Sequence, residues 1–165
     1  MGWPEPVALA GPQARLEPLS MAHHDALCDA ARDGELWKLW YTSVPSPERM
    51  AAEIERRMTL PTMCAFTVFD AAGRVAGMTT YMNTDAANKR VEIGSTWTRA
   101  SAQRSALNTQ SRRAIERLGA QLDGILRAHA RAADGSLRDT AVYSITAFEW
   151  PAVRSHLDWQ LAKPR

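Results

Sequence analysis

The sequence predicts an α+β domain in which helices flank a central, mostly antiparallel sheet. Residues 64–69 and 75–82 are rich in β-branched and aromatic side chains, and the turn-forming residues 70–74 separate them, as in a β-hairpin. Residues 90–97 have the composition of a third, adjacent strand. Helix start signals occur both before and after this group of strands, which favours the α+β class.

The N-terminal part of the chain predicts a short strand pair and a helix. Residues 7–9 and 14–19 favour two strands that meet around the turn at Gly11-Pro12. We expect a helix over residues 21–32, with Ser20 as its N-cap. The histidines that begin this helix, His23 and His24, are expected to face solvent.

An aromatic loop over residues 36–42 separates this helix from a second one. Ser46, with Pro47 at the first helical position, opens the second helix, which extends to about Leu60. Cys28 and Cys64 lie in apolar stretches and are interpreted as core residues.

The C-terminal part predicts a helix, a second hairpin and a last helix. The first of these helices begins at Gln110 or Ser111 and ends at Gly119. Residues 122–130 and 139–148 form the hairpin. The last helix starts at residues 149–151, and its apolar face is formed by Val153, Leu157 and Leu161.

Length and composition indicate one globular domain over residues 1–165. The chain has 165 residues, of which 45% are hydrophobic and 23% charged, and these proportions exclude collagen-like and disordered classes. No apolar run approaches the ~20 residues of a membrane span. The two cysteines form no CxxC pair, which argues against a disulfide scaffold or a zinc site. The first residues lack a secretory pattern, so we expect a cytoplasmic protein that binds no metal and no membrane.

The positive charge is concentrated in the second part of the chain. Residues 1–98 carry nine Lys/Arg against twelve Asp/Glu, whereas residues 99–165 carry eleven against six. Much of this excess lies in a basic stretch between Arg99 and Arg117, which contains five arginines and one glutamate. A local stretch of this size suits a small polyphosphate better than a long nucleic-acid track. A solvated helix face is the alternative interpretation.

The loop over residues 103–108 follows a predicted strand and consists of small and polar residues. Backbone N–H groups of such a loop, at the start of a helix, can bind a pyrophosphate. Arg99 and Arg104 could reach the phosphates from the side. The signal is weaker than a glycine-rich loop, because Ser105 and Ala106 replace the glycines that would let a ligand approach closest.

Several segments, taken together, resemble the GNAT superfamily of acetyl-CoA-dependent N-acetyltransferases, in the RimJ/RimL-like branch of ribosomal-protein N-acetyltransferases. The segments that carry the resemblance are residues 15–20 with His23, 91–94, 103–108, 111–120, 134–136, Asp139, Tyr143 and 149–151. The resemblance covers nearly the whole chain and implies the GNAT acyl-CoA N-acyltransferase fold, a three-layer α/β arrangement. Members of the family have a further helix and strand between the pyrophosphate loop and the helix that begins here at Ser111. Here Asn108 is followed after two residues by Ser111, so the sequence has no counterpart of this helix–strand segment after Gln110. Either the protein lacks the segment or the sequence omits it.

The resemblance implies that acetyl-CoA is the cosubstrate and a primary amine the acceptor. It implies that the backbone of Thr96, Trp97 and Thr98 lines the thioester. It also implies that the pyrophosphate is held by Gln103, Arg104, Ser105, Ala106, Leu107 and Asn108. Asn108 also fits an asparagine that precedes the catalytic serine in this branch.

Two residues are candidates for catalysis. Ser111 would lie near the sulfur, although it could equally be a helix N-cap. Glu92 would be the base, although a polar residue on the solvated face of a strand is the alternative. Trp37, Trp40 and Tyr41 could wall the acceptor pocket, or could be core or dimer contacts.

The predicted function is therefore acetyl transfer from acetyl-CoA to a protein N-terminus or a small amino compound. If the missing segment is truly absent, a non-catalytic acyl-CoA-binding remnant of the fold is the alternative. A ribosome- or RNA-contacting module is a further alternative, which the localised arginines disfavour. Surface Trp and Met residues would suit a homodimer.

Overall fold

The computed structural model describes residues 3–39, 43–103, 115–131 and 135–163. The chain divides into two compact units, residues 1–108 and residues 109–165, and the single domain expected over its whole length stays a prediction. None of the helices in the described ranges combines the length and the apolarity that a membrane span requires.

A five-stranded antiparallel sheet forms the centre of the first unit. Neighbours along the chain are neighbours in the sheet, and the strands are β1 (Leu9–Ala10), β2 (Ala14–Pro18), β3 (Cys64–Asp70), β4 (Val75–Asp85) and β5 (Arg90–Thr98). The β3–β4 turn closes because the Asp70 carboxylate accepts hydrogen bonds from the backbone N–H groups of Ala72 and Arg74, both at 2.9 Å. The predicted hairpin and the strand that follows it are confirmed.

Two helices cover this sheet at the positions that the sequence predicts. Ser20 caps the first, because its hydroxyl accepts a hydrogen bond from the Ala22 N–H at 3.2 Å. Each helix is preceded by a short 3₁₀ turn, so the order is Met21–His23, α1 (His24–Arg32), Pro47–Arg49 and α2 (Met50–Thr59). α1 packs against β4, and α2 packs against β3.

The main core of the first unit lies between these helices and the sheet. Its members include Leu27 on α1 and Met50 and Ile54 on α2, which pack with Met78 on β4. All four side chains are 0% exposed. Both cysteines are buried and unpaired, which agrees with their interpretation as core residues.

The second unit contains a two-stranded antiparallel sheet and a helix. The elements are β6 (Gln121–Arg131), β7 (Leu137–Ser144) and α3 (Trp150–Ala162), and residues 115–117 are also helical. The predicted hairpin and last helix are confirmed, but β7 ends at Ser144 rather than at residue 148. It ends there because the Glu149 carboxylate accepts hydrogen bonds from both the N–H and the hydroxyl of Thr146, at 2.7 Å each, which turns the chain into α3.

Two residues of the apolar face predicted for α3, Val153 and Leu157, are partly buried, and the third, Leu161, is exposed. No residue of this helix is fully buried, and Leu161 is 62% exposed. An amphipathic pattern predicts a face but not its partner, and within the described residues no element covers Leu161. The helix predicted to carry Val153, Leu157 and Leu161 is therefore present, and Leu161 is the exposed member of these three residues.

Candidate active site

A β-bulge interrupts the pairing of β4 with β5. Met78 and Thr80 are two positions apart on β4, whereas their partners on β5, Trp97 and Gly94, are three positions apart. β5 therefore has one extra residue here, which defines a bulge. Within it, Ser95 has a φ of +48°, a left-handed conformation that side-chain-bearing residues seldom adopt. The bulge immediately precedes the residues expected to line the thioester.

Those residues, Thr96, Trp97 and Thr98, lie on the last strand of the sheet. In the described part of the chain only β4 pairs with β5, and an edge strand can present its backbone to an extended ligand. The Thr96 side chain is exposed, and its hydroxyl lies 2.7 Å from that of Thr79. Trp97 is 6% exposed and belongs to the main core. Its indole N–H has no hydrogen-bond partner among the described residues, and only its backbone is placed to meet a ligand.

Gly77 allows β4 and β5 to approach closely next to Trp97. A Cβ at this position would lie 2.0 Å from the carbonyl oxygen of Trp97 and 3.0 Å from the Cα of Thr98. No side chain fits at that distance. The position of the Trp97 carbonyl therefore depends on a glycine in the neighbouring strand.

The end of α1 is tied to the residues that follow β5. The Oδ2 atom of Asp33 accepts hydrogen bonds from Arg99 Nε at 2.8 Å and from the Ser101 hydroxyl at 2.5 Å. The bonds from Ser101 and Arg99 lower the pKa of Asp33 below its ordinary value of 3.8. Arg99, which was expected to reach phosphates, is engaged in this ion pair.

The first residue of the predicted pyrophosphate loop contacts the strand. Gln103 Nε2 donates a hydrogen bond to the Thr98 carbonyl at 3.1 Å. The other loop residues, Arg104, Ser105, Ala106, Leu107 and Asn108, lie outside the described residues. Ser111 also lies outside them. The structure therefore describes the part of the predicted site that β5 and Gln103 form.

Glu92 lies on β5 with an exposed side chain. Its Oε2 accepts a hydrogen bond from Asn83 Nδ2 at 2.6 Å, which orients the carboxylate. Both interpretations given above agree with this geometry, so its role as a base stays a prediction.

Trp37 lies in a 3₁₀ turn, Leu36–Lys38, and packs partly buried against the main core. Trp40 and Tyr41, the other aromatic residues predicted for the acceptor pocket, lie outside the described residues. The wall of that pocket stays a prediction.

Arg57 is a site residue that the sequence analysis missed. It is 3% exposed, and its Nη1 donates hydrogen bonds to the Thr80 hydroxyl at 2.8 Å and to the Ser95 carbonyl at 3.1 Å. A signal was present, because Arg57 continues the apolar stripe of α2 after Met50 and Ile54, at helical spacing. A charged residue on such a stripe is buried only with partners.

His23 does not face solvent as predicted. Its side chain is 17% exposed, its Nδ1 lies 2.8 Å from the Thr67 hydroxyl, and its ring packs edge-on against Phe69. Thr67 and Phe69 both lie on β3, far along the chain, so the residues around His23 do not indicate this contact. His24 is more exposed and hydrogen-bonds the neighbouring Asp25 at 2.8 Å.

Two cavities open on the first unit, and neither is lined by a predicted site residue within the described ranges. One, of about 280 Å³, lies beside Trp3, Pro61 and Cys64, and Arg57 also lines it. The other, of about 300 Å³, lies beside His24 and Cys28. Burial raises the pKa of the Cys28 thiol, which keeps it protonated and a poor nucleophile at neutral pH.

Comparison with known proteins finds relatives among solved structures. No family model matches the chain, and no curated protein matches it significantly. A GCN5-related N-acetyltransferase from Brucella melitensis is 29% identical with a TM-score of 0.78, over 96% of this chain and 87% of that one. A protein from T. thermophilus, assigned as an acetyltransferase, is 26% identical with the same TM-score, over 96% of this chain and 99% of that one.

A more distant neighbour was solved with a coenzyme derivative. Mycobacterium smegmatis RimJ, in complex with CoA-disulfide, is 21% identical with a TM-score of 0.74, over 96% of both chains. The chain therefore has the predicted fold, that of the GNAT acetyltransferases. Together the neighbours support an enzyme of the acetyltransferase class.

Proposed function

We propose that this chain, which has the fold of the GNAT acetyltransferases, transfers the acetyl group of acetyl-CoA to a primary amine. The amine belongs to a protein N-terminus or to a small amino compound. The resemblance of residues 15–20 and 111–120 to the RimJ/RimL-like enzymes favours that branch. The observation that carries the proposal is the bulged edge strand β5, which has the backbone of Thr96–Thr98 at its end in a fold shared with acetyltransferases.

The proposed reaction is direct transfer. The amine nitrogen attacks the carbonyl carbon of the thioester, a C–N bond forms, the C–S bond breaks, and CoA leaves as a thiolate. Backbone N–H groups at residues 96–98 stabilise the charge that develops on the carbonyl oxygen. Glu92 takes the proton from the amine, directly or through a water molecule, and Ser111 supplies a proton donor for the sulfur.

Binding of the cosubstrate would use the start of the loop after β5. Gln103 holds the Thr98 carbonyl, and the backbone N–H groups of residues 104–108 would meet the pyrophosphate. The ion pair of Asp33 with Arg99 fixes the start of this loop against α1.

A second candidate function is acyl-CoA binding without transfer. One observation favours it, since β6 and β7 form their own sheet and no described strand pairs with the outer edge of β5. Both functions require binding of the coenzyme thioester, but only the first includes transfer of its acyl group.

The experiment is calorimetric titration with acetyl-CoA, after the intact mass has been measured, followed by a thiol-release assay with a panel of primary amines. We expect saturable binding that is lost in a Gln103/Arg104/Asn108 triple alanine variant. Glu92→Gln should keep that binding and lower thiol release by about a hundredfold or more, a typical loss for a missing general base. Binding without release from any amine would favour the acyl-CoA-binding function. Absence of binding would reject both functions.

A further inference from the structure

The conformation of the β5 bulge needs external support. Ser95 holds a φ of +48°, a left-handed conformation that is strained for a residue with a side chain. It has no neighbour on an outer strand in the described residues, because β5 is the edge of the sheet. Side chains from elsewhere must therefore hold this backbone in place.

Arg57 supplies that support from the helix above. Its Nη1 donates both to the Ser95 carbonyl, at 3.1 Å, and to the Thr80 hydroxyl on β4, at 2.8 Å. One guanidinium thus bridges the two strands on either side of the register change.

The charge of Arg57 is compensated within α2. Its Nε donates to Glu53 Oε1 at 2.7 Å, and Glu53 is also held by Arg56 through two further hydrogen bonds. Burial alone would raise the pKa of Glu53, but the hydrogen bonds from Arg56 and Arg57 lower it below its ordinary value. The carboxylate is therefore charged at neutral pH and fixes the plane of the guanidinium.

A hydrogen bond to the Ser95 carbonyl also determines where the next N–H points. The Ser95 C=O and the Thr96 N–H belong to one planar, trans peptide unit, in which the two groups point in opposite directions. When Arg57 fixes the oxygen, it fixes the direction of the Thr96 N–H as well.

We infer that Arg57 is a positioning residue that holds the β5 bulge so that the Thr96 N–H donates a hydrogen bond to the thioester oxygen of acetyl-CoA. This inference rests on the proposed function. In this role Arg57 acts through the Ser95–Thr96 peptide and not by direct contact with the cosubstrate or the acceptor.

The test is an infrared difference spectrum of acetyl-CoA labelled with ¹³C at the acetyl carbonyl. A hydrogen bond to the thioester oxygen lowers the stretching frequency of the bound carbonyl, and this readout requires no acceptor amine. The variants are Arg57→Met, which removes the donors, and Arg57→Lys, which keeps the charge but lacks the planar fork. Arg56→Met is the matched control, because Arg56 lies on the same helix and pairs with the same Glu53 but hydrogen-bonds neither strand.

We expect the wild type and Arg56→Met to show the lowered carbonyl frequency, and both Arg57 variants to lose most of that shift. If an amine substrate is in hand, the Arg57 variants should lose at least tenfold in kcat with a much smaller change in the KM for acetyl-CoA. Circular dichroism identifies variants that do not fold, and Arg57→Lys carries the test if Arg57→Met is one of them.

Two results would overturn the inference while leaving the proposed function intact. One is a folded Arg57→Lys protein that binds acetyl-CoA with an unchanged carbonyl shift, and the other is a wild type that binds without any shift. Failure of the wild type to bind acetyl-CoA would instead reject the proposed function, and the inference with it.

Discussion

The close approach of β4 to β5 at Gly77 makes one substitution especially informative. In Gly77→Ala, the new Cβ would lie 2.0 Å from the carbonyl oxygen of Trp97. Since ordinary contacts of a Cβ begin at 3.4 Å, the oxygen would have to move by more than about 1 Å. Trp97 is part of the main core, so this movement cannot be absorbed by a flexible side chain.

The expected cost follows from two physical effects. Overpacking of an interior site typically costs about 1–3 kcal/mol. The φ of +156° at Gly77 adds strain for any other residue, which is of order 1–3 kcal/mol. We therefore expect Gly77→Ala to lower the free energy of unfolding by about 2–6 kcal/mol.

Urea unfolding followed by circular dichroism measures this loss. Gly11→Ala is the matched control, because its Cβ would meet only the Ala14 carbonyl oxygen at an ordinary 3.6 Å. We expect the control to stay within about 0.5 kcal/mol of the wild type. A Gly77→Ala protein as stable as this control would refute the close approach of the two strands at Trp97.

Two further predictions concern the first unit. Ile54→Ala removes a side chain that is 0% exposed in the main core and should cost about 2–5 kcal/mol in the same urea assay; an equal stability of Ile54→Ala and wild type would place Ile54 outside the core. Asp33→Asn should weaken the tie between α1 and residues 99–101. Because the folded state lowers the pKa of Asp33, the stabilisation is complete above the ordinary value of 3.8 and is lost as the pH falls through the lowered value. The wild type should therefore be more stable than Asp33→Asn at pH 6, and the difference should shrink below about pH 3.8; a difference that is constant over this range would contradict the ion pair.

Most of the elements could be predicted because their signals are local. The hairpin of β3 and β4 is marked by β-forming residues around a turn whose Asp70 closes it, and Ser20 marks the start of the first helical segment. The composition of residues 139–148 favours a strand along its whole length. The strand ends earlier because the Glu149 carboxylate accepts a hydrogen bond from the Thr146 N–H, which favours a turn over continued strand pairing.

The spacing in α2 indicates that Arg57 is buried. The bulge, and the contact of Arg57 with it, could not be predicted, since they depend on residues far apart in the sequence. Arg57 and Ser95 are 38 positions apart, and no local pattern indicates that they meet. A register change likewise depends on how two strands pair. The sequence of β5 alone does not show which residue of β4 lies opposite each of its residues. His23 was placed wrongly for the same reason, because its partner Thr67 is 44 positions away.

Charge counting along the sequence has a related limit, which bears on how the proposed pyrophosphate site would work. Arg99 belongs to the basic stretch from which phosphate binding was predicted, yet its guanidinium is paired with Asp33 at 2.8 Å. Gln103 in turn donates to the Thr98 carbonyl. These two residues therefore shape the start of the loop and the end of β5. Contact with phosphate would then depend on Arg104 and on the backbone N–H groups that follow it. The loop contains no glycine, yet its backbone would contribute more to phosphate binding than the number of nearby arginines suggests.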